Sequence, residues 1–392
     1  MSYQFIRTDA ELTAYLEQIR SNEWIALDTE FISEGKYRAE LCLIQAATGD
    51  GPVLIDAPAI ADLTPFWERL CAKETLILVH SCRSELEFCF RAIGRLPKNV
   101  FDIQLAAGFV GGDYPSSFKK IADQFVHIEI PKGETRTDWR KRPLSILQVE
   151  YALNDVLYLD RIATELTALL KKTGRLSWFA AETRSYLARL EASFDDDRWQ
   201  RVAGIASLGR LELAIVRELW RWREKKAAEK NRPVGRFLRD DIIVELAKRK
   251  SANPDRIGAL RSLSRRNDLA ILQEELSPAI ARALTLPADA LPSLSSHESY
   301  PHYPVVTQFL MTVLCNEAKR TDVALNLLAS PQDARDFIAQ RAGTLPEGGV
   351  VRLDTGWRQE LLGGRLDRVL NGQVALCVDD FLQNDPIKTV EL

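Results

Sequence analysis

The chain has 392 residues and a net charge of −3, with 46% of its residues hydrophobic and 27% charged. The length predicts more than one domain, and the balance suits a soluble globular protein with no wholesale basic surface, so any nucleic-acid site must be a local patch. No apolar run reaches the roughly 18 residues that a membrane span needs, and the polar, amphipathic N-terminus is not a signal peptide. The six cysteines form no CxxC pair, and none of the four histidines clusters with a cysteine pair. Reduced thiols in a cytoplasmic protein are expected, without structural zinc.

In chain order, WIALDTEF, AELCLIQAA, GPVLIDA and TLILVHS read as strands, being short, apolar and bounded by turn residues. Helical patterns lie around them: DAELTAYLEQIRS, TPFWERLCAK and SELEFCFRAIG. The mixture predicts an α/β sheet domain over residues 1–175. Within it, PKGETRTDWRKRP is a basic loop, and residues 144–174 form one long helical pattern. A connecting helix is expected in 176–202, broken at FDDD, followed by an all-helical region over 203–286. Residues 287–304, rich in Pro and Ser, read as a linker. A second helical module is expected over 305–392, faintly echoing the first and either binding nucleic acid or packing against the α/β unit.

Side chains alternate along a strand, so Asp28 and Glu30 share one face. Two carboxylates placed together repel unless a cation sits between them, and hard oxygen ligands suit Mg²⁺ or Mn²⁺. An acid-x-acid pattern also occurs at exposed strand ends with no such role. Glu85 stands near the start of a helix, and Tyr151 and Asp155 fall at i and i+4 on one helical face. Four acids brought together in this way can hold two metals about 4 Å apart, flanking an in-line phosphoryl displacement. A phenol beside them can orient the attacking water.

DTEF, FDIQLAAGF, TRTDWRKRPL and QVEYALNDVLYL together resemble the ribonuclease D family, the branch of the DEDD 3′→5′ exonucleases with a catalytic tyrosine. The likeness implies a ribonuclease H-like mixed sheet flanked by helices, followed by two all-α helical modules. The first module, 203–286, resembles an HRDC domain, and the second, 305–392, a more divergent one. It also implies Asp28, Glu30, Glu85 and Asp155 as ligands of two Mg²⁺ or Mn²⁺ ions, with Tyr151 as the fifth catalytic residue. The sister subgroup's histidine is not supported, since position 150 is Glu150. The chain departs from the family at the second motif, where an aspartate is expected and Glu85 stands. One added methylene moves a carboxylate by roughly 1 Å, a displacement that can cost about a hundredfold in rate. Glu87 lies on another helix face. Asp102 is expected to shape the site or cap a helix.

Lys132, Arg136, Arg140, Lys141 and Arg142 surround Trp139 in the basic loop. They are candidates for phosphate contact, with Trp139 stacking or anchoring the loop and Arg142 alternatively pairing with a structural carboxylate. Residues 217–239 hold nine Lys or Arg against three acids, among them Arg223, Lys226, Lys230, Arg232 and Arg236. This suggests a phosphate-binding surface, or otherwise a solvated helix face. Trp220 and Trp222 cannot share a helix face, so one is expected in the core and the other partly exposed. His80 and His127 are expected to be structural, with His127 in a strand-like segment. The expected function is metal-dependent 3′→5′ trimming of RNA with a single-stranded 3′ end, the tRNA-precursor class, releasing nucleoside 5′-monophosphates. No membrane and no obligate protein partner is expected. A binding protein with a site weakened at Glu85, and a DNA exonuclease, are the alternatives.

Overall fold

Short apolar runs bounded by turn residues pair into a six-stranded mixed sheet in the computed structural model. It describes residues 2–131, 137–194, 197–264, 268–294, 303–346, 348–380, 382 and 387–392. The strands are β1 (Gln4–Ile6), β2 (Trp24–Ile32), β3 (Glu40–Thr48), β4 (Gly51–Ile55), β5 (Leu76–Val79) and β6 (Val100–Asp102), in the order β1-β4-β3-β2-β5-β6. β3 and β4 form an antiparallel hairpin, and β2, β5 and β6 run parallel, with Ala26 opposite Leu78 and Val79 opposite Asp102. Around the sheet lie α1 (Asp9–Gln18), α2 (Thr64–Leu70), α3 (Arg83–Ile93), α4 (Ile103–Ala107), α5 (Phe118–Val126), α6 (Ile146–Leu157), α7 (Leu159–Lys172) and α8 (Leu176–Phe194). The 144–174 pattern is two helices, because the chain leaves helical geometry at Tyr158 (φ −106°, ψ −1°). His127 is not in a strand but closes α5 in the left-handed region at φ 54°.

The chain divides into two units. One comprises Phe31–Glu40 and Phe194–Ser296, and holds α9 (Arg210–Lys230), α10 (Asp240–Arg249), α11 (Pro254–Gly258) and α12 (Leu269–Leu284). Leu213, Leu219, Ile243, Leu246, Leu276 and Ile280 form its buried core. Trp220 and Trp222 both pack part-buried against that core, rather than dividing into one inside and one outside. The Tyr37 hydroxyl donates to Glu224 at 2.8 Å, and the Arg38 N–H to Asn231 Oδ1 at 2.8 Å, fastening the 31–40 segment to α9.

The other unit comprises Met1–Glu30, Leu41–Ser193 and His297–Leu392. Residues beyond 303 therefore group with the sheet. They form α13 (Tyr303–Arg320), α14 (Leu325–Leu328), α15 (Pro331–Arg341), α16 (Gly356–Leu362) and α17 (Arg365–Leu370). They also form a hairpin, β7 (Val374–Val378) with β8 (Ile387–Glu391), where only helix was expected. One apolar core runs from Phe101, Phe109 and Leu166 to Leu314, Leu328 and Trp357. The rings of Phe109 and Trp357 meet edge to face at 5.0 Å. Backbone bonds stitch the two stretches: Gly111 N–H to the Asp322 carbonyl at 2.9 Å, and Ala324 N–H to the Gly108 carbonyl at 2.8 Å.

A buried ion pair lies inside this junction. Glu182 of α8 accepts from Arg358 Nη1 at 2.8 Å and from Trp357 Nε1 at 2.9 Å, while Arg358 also donates to the carbonyls of Leu327 and Leu328. Burial raises the Glu182 carboxyl, but hydrogen bonds and charge from Arg358, the Trp357 indole and Arg189 outweigh it and bring the pKa down to about 2. A depressed carboxyl contributes stability above its unfolded value and loses it as pH falls toward the folded one. The stability of the wild type is thus expected to decline between about pH 4.5 and 2. Glu182→Gln should lower the unfolding free energy at pH 7 by about 3 kcal/mol and flatten that decline, as read by urea denaturation across pH.

Candidate active site

β2 enters the sheet with Ile25, Ala26 and Leu27 fully buried. Its register with β5 ends at Ala26, so Asp28 and Glu30 project past the paired residues, at the carboxyl end of parallel strands. That end of an open α/β sheet is where side chains reach into a crevice. α6 brings Tyr151 and Asp155 to the same place, one helical turn apart. One carboxylate oxygen from each of Asp28, Glu30 and Asp155 lies within 4.8 Å of the others, which suits a divalent cation.

The fourth acid is placed by three contacts. Asp102 ends β6 and accepts the N–H groups of Ser81 (3.0 Å), Cys82 (3.1 Å) and Gln104 (2.9 Å). It therefore both caps α4 and clamps the β5–α3 turn, where Ser81 takes φ 62°. That turn delivers Glu85 in the first turn of α3, 4% exposed. Glu85 Oε1 accepts the Thr29 hydroxyl at 2.6 Å. Its carboxylate stands beside the three-acid group rather than within it. Thr29, which sits inside the DTE motif, was missed in the sequence. Alternation of faces hides a contact made across to another element.

The electrostatics are those of a site built for positive charge. Burial, then Asp155, Glu85 and Glu30, hold the Asp28 carboxyl well above the ordinary range. Burial and the charges of Asp155 and Glu85 push Glu30 up to about 8. Glu85 and Asp155 are raised to about 7 by burial, with hydrogen bonds from Thr29 and Tyr151 respectively acting the other way. Asp155 Oδ2 is buried without a hydrogen-bond partner. Burial and the neighbouring acids also raise the Tyr151 phenol, which stays protonated. An orphaned oxygen within a set of mutually repelling acids fits divalent metal.

The remaining candidates separate by burial. Trp139 is 2% exposed and packs 6.1 Å from the Tyr151 ring, so it anchors the loop. Arg142 binds Asp56 and the carbonyls of Trp139 and Cys42, and is structural. Arg140 pairs with Asp138, and Lys141 is exposed. Lys132 and Arg136 lie outside the described residues, as do His297 and His302. Arg223 is a correction: it is 6% exposed and bonds Asp240 and the Leu238 carbonyl, tying α9 to α10 instead of facing solvent. Lys226 bonds Glu275 at 2.7 Å, whereas Lys230, Arg232 and Arg236 are exposed. His80 is held by the Ser116 carbonyl at 2.8 Å.

The model of a 3′–5′ exonuclease family matches residues 3–171, and that of the HRDC domain matches residues 212–267. Ribonuclease D of Jannaschia sp. is 33% identical, over 99% of each chain. The chain belongs to the ribonuclease D family. Ribonuclease D of Escherichia coli K12 is 29% identical over 94% of this chain and 99% of its own. The crystal structure of the Escherichia coli enzyme, described as an exoribonuclease involved in structured RNA processing, superposes with a TM-score of 0.80 at 28% identity. It covers 95% of this chain and 99% of that one. The family assignment makes this chain a 3′→5′ exoribonuclease, with a mixed sheet flanked by helices and an HRDC domain. Exonucleases of this family depend on metal. Among the described residues, no helix is long and apolar enough to cross a membrane.

Crowded buried acids oppose folding until a cation or a neutral substitution relieves them. In EDTA, Asp28→Asn is expected to raise the melting temperature by a few degrees. Mn²⁺ should then stabilise the wild type and not the variant, in paired thermal melts. A wild type indifferent to Mn²⁺ would contradict the metal assignment.

Proposed function

We propose that the chain hydrolyses the terminal phosphodiester of RNA with a single-stranded 3′ end, tRNA precursors being the substrate class, and releases nucleoside 5′-monophosphates. The observation that carries this reading is the meeting of Asp28, Glu30 and Asp155 within 4.8 Å of one another, with Tyr151 one turn from Asp155. Asp28, Glu30, Glu85 and Asp155 would together hold two Mg²⁺ or Mn²⁺ ions. When bound, such a pair supplies positive charge to the attacking and leaving oxygens of an in-line displacement. Tyr151, kept protonated by burial and by the acids around it, orients the attacking water through its hydroxyl. Thr29 fixes the Glu85 carboxylate in one rotamer, and Trp139 fixes the Tyr151 ring. Arg140 and Lys141, with the exposed Lys230, Arg232 and Arg236, contact the RNA backbone. Lys132 and Arg136 are assigned the same role on their sequence position alone.

The test is the shortening of a 3′-extended tRNA transcript by purified protein in Mg²⁺, Mn²⁺ or EDTA. Stepwise loss from the 3′ end is expected with either metal and none in EDTA. Asp28→Asn and Asp155→Asn should abolish shortening while RNA binding persists. Tyr151→Phe should slow it about a hundredfold. Glu85→Gln should slow it by a similar factor, about a hundredfold. Wild-type rates in Glu85→Gln would remove Glu85 from the ligand set, and activity in Asp28→Asn would overturn the site. A matched DNA strand degraded as fast as the RNA would favour the DNA exonuclease reading.

A further inference from the structure

A second polar pocket lies within the sheet-containing unit, bounded by α13, α17 and the β7–β8 hairpin. Its volume is about 430 Å³, within the roughly 300–1,000 Å³ of small-ligand sites. Asn316, Glu317, Arg320, Arg365, Arg368 and Lys388 line it. None of them belongs to the acidic site or to the basic patches described above.

Glu317 is 2% exposed and is shared by two guanidinium groups. Arg320 donates to its Oε2 through Nη2 at 2.6 Å and Nε at 3.1 Å, and Arg365 pairs with the same oxygen. Two positive charges thus converge on one negative charge. Each guanidinium has five N–H donors, so both retain donors after binding Glu317. Two arginines anchored on one buried acid lose less side-chain freedom on meeting a phosphate than free ones would. Arg368 is balanced by Glu391, and Lys388 and Asp379 stand opposite in sign on the wall. The pocket therefore keeps one net positive charge. Asn316, on the same wall, is 7% exposed, and its Oδ1 is buried without a hydrogen-bond partner. A buried orphan acceptor costs free energy unless a ligand supplies a donor.

We propose that this pocket binds one ribonucleotide of the RNA body. A backbone phosphate meets Arg320, Arg365 and Lys388, and the Asn316 side chain turns its buried Oδ1 into the pocket to accept a ribose 2′-hydroxyl. The assignment rests on RNA being the substrate. It gives the chain a contact to RNA separate from the acids that cut it, and one that senses the 2′-hydroxyl.

The experiment uses the full chain in EDTA, with a fluorescent single-stranded oligoribonucleotide and the DNA of the same sequence. Affinity is measured over a range of salt. Each lost phosphate contact makes the slope of log K against log salt shallower by about one. Arg365→Gln with Lys388→Gln should show that change. Lys388→Gln alone, at an exposed position, should show it even if the double variant melts early. Asn316→Ala should reduce the preference for RNA over DNA about fivefold. Unchanged slope and unchanged preference in variants with normal melts would overturn the proposal. Free AMP or inorganic phosphate that binds the intact pocket, while pocket variants leave oligoribonucleotide affinity unchanged, would make it a mononucleotide or phosphate site and overturn the RNA assignment. Shortening by the wild type in Mg²⁺ is followed in parallel. Binding through the pocket without shortening would count against the exonuclease site alone.

Discussion

Buried carboxylates repel one another, and much of the exonuclease fold serves to hold four of them together against that repulsion. β2 is pinned by its buried residues before the acids begin. Asp102 gathers three backbone N–H groups and so fixes the turn that carries Glu85. Trp139 fixes Tyr151 from behind. The nearby cation of the basic loop, Arg142, is committed to Asp56 and to carbonyls. That commitment matters, because an arginine free to swing among the acids would neutralise them. Arg142 is thus occupied away from the acids, which leaves them to metal.

The substitution of glutamate for aspartate in the second motif follows the same logic. A longer side chain in an unchanged backbone has to bend or be held. Here it is held, by a hydroxyl two residues from neither acid of the first motif but directly between them in sequence, at Thr29. The first and second motifs are therefore joined by a hydrogen bond as well as by their shared field. The glutamate is thus held in one place beside the three-acid group.

What could be read from the sequence was what backbone geometry dictates. Alternation along a strand placed Asp28 with Glu30, and the helical repeat placed Tyr151 with Asp155. The four apolar strand runs were legible because each is long enough to show a pattern. β1 and β6 were not, since three residues carry no period. The β7–β8 hairpin was hidden by a half-exposed pattern that resembles a helix face. Arg223 was misread because a count of cations cannot tell a buried crosslink from a surface patch. The Thr29–Glu85 bond joins residues 56 positions apart, and no local pattern reports such a contact. The union of residues 303–392 with the sheet core was legible only as one of two alternatives, since an apolar helix face does not name its partner.

That union has a consequence for how the enzyme is made. The sheet, its flanking helices and residues 303–392 share one apolar core, yet the helical unit built around α9 to α12 lies between them in sequence. During synthesis the sheet emerges first and waits for the rest of its core. At about 5–20 residues per second, the stretch from residue 194 to 392 takes on the order of 10–40 s. Through that interval Phe109 and its neighbours have no Trp357 to cover them, so the nascent chain carries an open apolar face. The intervening HRDC unit, whose core is self-contained, can fold meanwhile. Maturation of the nuclease thus waits on the synthesis of residues 303–392, and the surface exposed until then is a natural target for chaperones.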